Sequence, residues 1–238
     1  RRFLLKKLFL DWPLRRLRYV TAISETTKNE ILKFTNCAPE KILVIENPLQ
    51  SQYLTRAAYK FNAGEPKILQ VGTLENKNVG RLIEAISGLA CKLRIIGKID
   101  ESLHNNLLTH RISFENLYDL DDEQMRAEYV NADIVSFCST YEGFGMPIIE
   151  AQSVGRPVIT SNISPLREVA GAGACLADPF DPSKIRAGIE RIIDDEAFRM
   201  SLISAGFKNV GRFQPSIIAA AYKRLYDKVL HEVGSHVG

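Results

Sequence analysis

Cysteine is scarce in this chain, and its spacing excludes a covalent framework. The four present in 238 residues (Cys37, Cys91, Cys138 and Cys175) form no C-x-x-C pair, and three lie in or beside candidate core segments. They fit reduced, packed thiols of a cytoplasmic protein. No uninterrupted apolar run approaches the roughly 20 residues that cross a bilayer, no stretch reads as a signal peptide, and there is no internal repeat or low-complexity segment. His104, His110, His231 and His236 fall outside every motif, which leaves them surface or structural roles. Charge of one sign is also thin over most of the length. The net charge is +3, yet residues 1–18 alone hold seven Lys and Arg against Asp11, a local +6, so taking that from the total leaves −3 for the rest. A body of that sign lacks the basic face of a nucleic-acid-binding protein, and no nucleic-acid partner is expected.

What the chain does have is alternation. Short apolar runs at Lys67–Val71, Lys92–Ile96, Arg111–Phe114, Asp133–Phe137, Pro157–Thr160 and Ala174–Ala177 read as strands. Helical patterns over 78–90, 101–108, 122–131, 147–154 and 165–170 separate them, followed by helices over 182–194, 196–210 and 215–233. Strand and helix in turn imply an α/β fold, a Rossmann-like parallel sheet with helices on both faces. Before it, Tyr19–Ser24, Glu25–Phe34 and Lys41–Ile45 read as strand, helix, strand, and Asn47-Pro48 breaks the chain.

The densest chemistry lies in Ser139-Thr-Tyr-Glu-Gly-Phe-Gly-Met-Pro-Ile-Ile-Glu150, which passes from a buried strand through a glycine turn into a helix. Open α/β sheets bind ligands at that end of a strand. Gly143 and Gly145 permit positive φ and close approach of a ligand. Pro147, expected at the first helical position, gives up an amide that has no helical partner there. The amides around Phe144 and Met146 sit where the helix dipole amounts to about +0.5 charge, a setting for phosphate. Glu142 before the turn and Glu150 one turn inside the helix are acceptors suited to sugar hydroxyls. Either glutamate alone fits a solvated or helix-complementing role; the pair, flanking an anion site, fits a nucleotide sugar.

Glu142-Gly-Phe-Gly-Met-Pro-Ile-Ile-Glu150 resembles the E-x7-E signature of retaining GT-B glycosyltransferases of family 4, the glycosyl transferases group 1. Ala151-Gln-Ser-Val-Gly-Arg-Pro-Val-Ile-Thr-Ser-Asn162 resembles its continuation, and the likeness runs from about Tyr19 to Tyr226. Gln70-Val-Gly-Thr-Leu-Glu-Asn-Lys-Asn78 is similar to the family's phosphate loop, with Gly72 for the turn, Thr73 where arginine is usual, and Lys77 as the cation. Arg111–Leu117 is similar to its strand and base-binding loop, with Asn116 where glycine is usual, beside Leu117; asparagine tolerates left-handed geometry.

The resemblance implies the C-terminal, donor-binding half of a GT-B fold. Residues 1–48 would be the tail of the N-terminal acceptor domain and hinge, 49–66 a mobile connector, 67–213 the donor domain, and 214–238 a helix packing back toward the N-terminal domain. Since the sequence opens on Arg1 rather than Met, most of the acceptor domain is expected to lie outside it. The implied activity transfers a sugar with retention from a nucleotide-sugar donor to a glycan or lipid-linked acceptor, the fragment alone being inactive. Glu142 would hold the transferred sugar as the catalytic residue. Gly72, Thr73, Lys77, Asn116, Leu117, Gly143, Phe144, Gly145, Met146 and Glu150 would bind donor, with no cofactor and no metal. Asp119-Leu-Asp121 matches a metal-binding string of a different glycosyltransferase fold but stands where a helix cap is expected.

The aromatic-studded basic stretch over residues 1–18 suits peripheral contact with an anionic membrane, and equally suits packing on the absent domain; Pro13 interrupts it. The localisation expected is cytoplasmic, at the inner membrane face if that contact forms. Two other functions share these motifs: a non-catalytic nucleotide-binding or scaffold subunit, and a GT-B sugar-nucleotide epimerase. The missing third glycine, replaced by Ile148, counts against a dinucleotide-dependent oxidoreductase.

Overall fold

The structure is a computed structural model and describes residues 7–53 and 58–234. Residues 1–6 of the basic stretch, 54–57 of the connector and 235–238 of the segment expected as a C-terminal helix lie outside the described residues. The chain forms two compact units: residues up to Pro48 with those from Phe213 onward, and Leu49–Arg212.

In the first unit, β1 (Val20–Ala22) and β2 (Ile42–Val44) pair in parallel across the helix Glu25–Phe34. Ser24 caps that helix, its Oγ accepting from the Thr27 amide at 3.1 Å. The terminal helix Pro215–Gly234 returns to this unit, where Tyr19 Oη donates to Glu232 Oε1 at 2.6 Å. The basic stretch divides into a π turn, Lys7–Asp11, and a short helix, Trp12–Arg16, with Pro13 in that helix's first turn. Among the described residues no helix is long and apolar enough to cross a membrane.

The second unit is a six-stranded, wholly parallel sheet. Its strands are β3 (Lys67–Val71), β4 (Lys92–Ile96), β5 (Ser113–Leu117), β6 (Ile134–Phe137), β7 (Val158–Ser161) and β8 (Ala174–Ala177), in the order β5-β4-β3-β6-β7-β8. The sheet is flanked by helices, so its central strands are near-continuous apolar runs. Ile68 and Leu69 on β3 pair with Ile134 and Val135 on β6, and all four are fully buried. Burying each such side chain contributes about 1.5–3 kcal/mol. The order has one functional consequence. Winding proceeds from β3 outward through β4 to β5, then reverses to β6 on the other side of β3. The loops leaving β3 and β6 therefore diverge, and the crevice between them is the topological switch point.

Local chemistry moves several expected boundaries. β5 begins at Ser113 rather than Arg111, because Arg111 adopts a left-handed φ of 53° and its amide still closes the preceding helix onto Leu108 O. The helix after β3 stops at Ile86 instead of reaching Ala90, since Gly88 (φ 76°) takes the left-handed C-terminal position. The helix expected over 165–170 begins at Leu166, with Pro165 at its cap position.

The expected mobile connector is bound to the sheet domain where it is described. Leu49 and Tyr53 are buried, Tyr59 Oη donates to Asp133 O at 3.0 Å, and Arg156 Nη2 donates to Ala58 O at 2.8 Å. The Asp133 carboxylate holds two amides, Asn62 N at 3.0 Å and Lys67 N at 2.8 Å, fixing the approach to β3. Asp133→Ala strands both. The expected result is a loss of about 1–3 kcal/mol, seen as a lower denaturation midpoint with unchanged slope; an unmoved midpoint contradicts this role.

Candidate functional site

Two loops face each other at the switch point. The first leaves β3 at Gly72 (φ 87°), whose amide donates to Ile96 O at 2.7 Å and whose carbonyl accepts from Gln70 Nε2 at 3.2 Å. A 3-10 turn, Glu75–Lys77, follows, and Asn78 takes a left-handed φ of 61° at the start of the helix Val79–Ile86. The second loop leaves β6 at Cys138. Asparagines staple the two together: Thr140 N donates to Asn76 O at 2.8 Å, Asn76 Nδ2 to Tyr141 O at 2.9 Å, and Asn78 Nδ2 to Cys138 O at 2.9 Å and Pro179 O at 2.7 Å.

Across this stapled crevice Lys77 Nζ meets Glu142 Oε1 at 2.6 Å, the side chains being 19% and 14% exposed. Asn76 Nδ2 adds a second donor to the same oxygen at 3.3 Å, and the ammonium lies 4.8 Å from the centre of the Phe137 ring. The lysine stem crosses Gly72, where an added Cβ would stand 3.0 Å from both Cγ and Cε. Glycine suits the position twice: its φ is left-handed, and an added Cβ would press on the lysine stem.

Beyond Glu142 the chain turns into the helix Met146–Ser153. Only Gly145 does the turning, at φ 119°; Gly143, expected to share that geometry, stays outside the left-handed region. A Cβ on Gly145 would stand 2.7 Å from Leu166 Cδ2, so space and backbone both demand glycine. Pro147 is the second helical residue rather than the first, since Met146 already belongs to the helix. Phe144 is buried at 4% exposure, anchoring the turn.

Glu150 follows on the same helix, 9% exposed. Its carboxylate is bonded to Tyr129, whose Oη donates to Oε2 at 2.6 Å, and not to the Lys77–Glu142 pair. Tyr53 stands edge-on to Tyr129 with ring centres 5.6 Å apart. Burial raises the Glu150 carboxyl above its ordinary range; the Tyr129 hydrogen bond opposes this and the nearby Asp122 charge adds to it. Burial and then Glu150 push the Tyr129 and Tyr53 hydroxyls up in turn.

The remaining predicted residues gather one strand away. Asn116 is not left-handed; it lies within β5 opposite Ile95, and its Nδ2 donates to Ile95 O at 3.1 Å and Gly97 O at 2.7 Å. Leu117 O accepts from Gly97 N at 2.8 Å, and Thr73 Oγ1 donates to Lys98 O at 2.7 Å. Thr73, Asn116 and Leu117 thus secure the Gly97-Lys98 turn beyond β4. Asp121 caps the helix Asp122–Asn131 in a reciprocal capping box with Gln124.

Residues 52–209 match the family described as glycosyl transferases group 1. The chain belongs to that family. O-antigen chain mannosyltransferase B of Escherichia coli is 28% identical over 82% of this chain and 57% of its own length. O-antigen chain mannosyltransferase RfbU of Salmonella typhimurium is 28% identical over 80% of this chain and 54% of its own. This glycosyl transferases group 1 chain therefore spans little more than half the length of those relatives. Among solved structures, sucrose-phosphate synthase of Thermosynechococcus elongatus superposes with a TM-score of 0.82 at 21% identity, covering 97% of this chain and 62% of that one. Anabaena HepE in complex with UDP and glucose gives 0.81 at 18% identity, covering 93% and 66%. These structural neighbours share the GT-B fold.

In this glycosyl transferases group 1 chain, Lys77 and Glu142, singled out from the sequence, meet at the crevice, with Gly145 in the turn and Glu150 on the helix beyond; Asn76, Asn78, Gln70 and Tyr129, which bond to these loops and side chains, were not singled out. The Asn-Lys-Asn run was a usable signal, because asparagine favours turns and left-handed backbone. Tyr129 gave none, sitting in an ordinary helical pattern. The buried Glu150 also has a stability signature. A carboxyl raised on folding makes the folded chain hold its proton more tightly than the unfolded one, so stability falls as pH rises from the ordinary carboxylate range through the raised value. Glu150→Gln removes that ionisation and keeps an acceptor for Tyr129. The variant is expected to melt above wild type at about pH 7.5, with the gap closing toward about pH 4; thermal unfolding at both pH values checks it. A variant less stable than wild type throughout contradicts this picture.

Proposed function

We propose that this chain is the donor-binding half of a retaining, family 4 GT-B enzyme that moves a sugar from a nucleotide-sugar donor to a glycan or lipid-linked acceptor. The observation that carries this is the meeting of Lys77 and Glu142 at the carboxyl ends of β3 and β6, where the sheet's winding reverses, beside the start of the helix Met146–Ser153. The O-antigen mannosyltransferases among its relatives make mannose the first sugar to test.

The roles divide by charge. Lys77 and the amides of Phe144–Met146 face the diphosphate, supplying its counter-charge without a metal ion. Glu150 accepts from the ribose hydroxyls, and Glu142 orients the transferred sugar. In the reaction the bond between the anomeric carbon and the diphosphate oxygen breaks, and the acceptor oxygen bonds that carbon on the same face. The acceptor's proton passes to the leaving phosphate. Negative charge grows on the diphosphate, so preorganised donors there lower the barrier; losing one typically costs about 3–4 kcal/mol. The exposed Phe9 and Trp12, 75% and 53% accessible, with Arg15, Arg16 and Arg18, form the surface suited to an anionic membrane, near a lipid-linked acceptor.

A thermal-shift screen of UDP, GDP and ADP with their sugar esters tests donor binding. A hundredfold excess over Kd stabilises by about 2.7 kcal/mol. Lys77→Ala is expected to weaken every diphosphate by about 1.5–3 kcal/mol, Glu150→Ala every ribose-bearing ligand, and Glu142→Ala the sugar-bearing ones. No response to any nucleotide, or an indifferent Lys77→Ala, contradicts the proposal. Co-sedimentation should show preference for anionic over neutral liposomes, reduced by Phe9→Ser with Trp12→Ser; equal partition removes the membrane contact.

A further inference from the structure

The Lys77–Glu142 pair has a consequence for which ligand the crevice retains. It is partly buried, with both side chains under a fifth exposed, and it links groups that a donor must engage separately. Lys77 carries one positive charge on a stem that lies over Gly72, so Glu142 and a diphosphate compete for the same counter-charge. A diphosphate that draws it away leaves Glu142 with Asn76 Nδ2 at 3.3 Å as the donor recorded on the same oxygen, beside newly arrived negative charge. Removing one partner of a pair withdrawn from water is unfavourable, the more so the deeper its burial, because the other remains as an uncompensated charge.

We propose that the Lys77–Glu142 ion pair makes this crevice select the sugar-bearing donor over the bare nucleoside diphosphate that transfer leaves behind. The inference rests on the donor-site reading above. A nucleotide sugar brings hydroxyls that donate to Glu142 as Lys77 turns to the diphosphate, so both charges stay matched. A nucleoside diphosphate brings no such donors, and Glu142 competes with it for the lysine. Once the sugar has moved on, the pair re-forms and displaces the product. The carboxylate is thus a specificity-determining residue acting against one ligand as well as for another.

Calorimetric titration of the full chain with UDP, GDP and ADP, and with UDP-glucose, GDP-mannose and ADP-glucose, tests this in wild type, Glu142→Gln, Glu142→Ala, and each combined with Lys77→Gln. Both Glu142 variants are expected to bind the bare diphosphate about tenfold more tightly than wild type while binding its sugar ester more weakly, the opposite signs being diagnostic. The tightening should vanish when Lys77 is replaced, which a merely structural role for Glu142 would not produce. Unfolding midpoints confirm that each variant is folded, and either Glu142 variant suffices if the other is not. Wild-type binding of a bare diphosphate that neither variant strengthens, or strengthening that survives loss of Lys77, overturns the selection while leaving the donor site standing. No binding of any nucleotide to wild type overturns both.

Discussion

A parallel sheet wound outward from its middle must reverse direction once, and where it does, two loops part at the carboxyl edge of neighbouring strands. Here that place lies between β3 and β6. The hydrophobic packing of these strands fixes it without reference to chemistry: Ile68, Leu69, Ile134 and Val135 are fully buried and set the register. Gln70, one residue further along β3, is buried and donates into the loop at Gly72 and Lys77. Core packing thereby passes directly into loop geometry, and Lys77 and Glu142 stand on loops set by a rigid sheet edge.

The site is assembled from features that oppose stability. Asn78 and Gly145 occupy left-handed backbone, Glu150 is a carboxylate buried against tyrosines, and Lys77 and Glu142 withdraw a cation and an anion from water. Each is held by neighbours that over-determine it. Asn78 ties together Cys138, Pro179 and Arg81, and the turn at Gly145 is closed by Leu166. Concentrating such compromises at one edge of a sheet is the signature of a functional site. In a glycosyl transferases group 1 chain, the two acids then differ in kind. Glu150 is locked by Tyr129 and presents a fixed acceptor, whereas Glu142 rests on a partner that a ligand could claim.

How much of this could be read from the residues follows from range. Apolar runs flanked by turn formers placed β3, β4 and β8 to the residue and put β6 and β7 within one residue of their bounds, since runs of this kind are read locally. β5 was displaced by two residues because one left-handed arginine extended the preceding turn, and nothing marks Arg111 for that conformation. Of the two glycines in the Gly-Phe-Gly turn, only the structure shows that Gly145 alone reverses the chain. Asn116 was misjudged for a related reason: its likeness to a glycine position suggested backbone freedom, while its side chain instead bonds the neighbouring strand's end. The two contacts that define the site, Lys77 with Glu142 and Tyr129 with Glu150, join residues 65 and 21 apart. Periodicity and motif spacing carry no information about such pairings, so the residues were legible and their partners were not.

The most direct measurement is a crystal structure of the chain with a bound nucleotide sugar. The account predicts phosphate oxygens within hydrogen-bond reach of Lys77 Nζ and the Phe144–Met146 amides, with Lys77 and Glu142 drawn apart. A ligand lodged elsewhere, or one seated in the crevice while that ion pair stays closed, would contradict it.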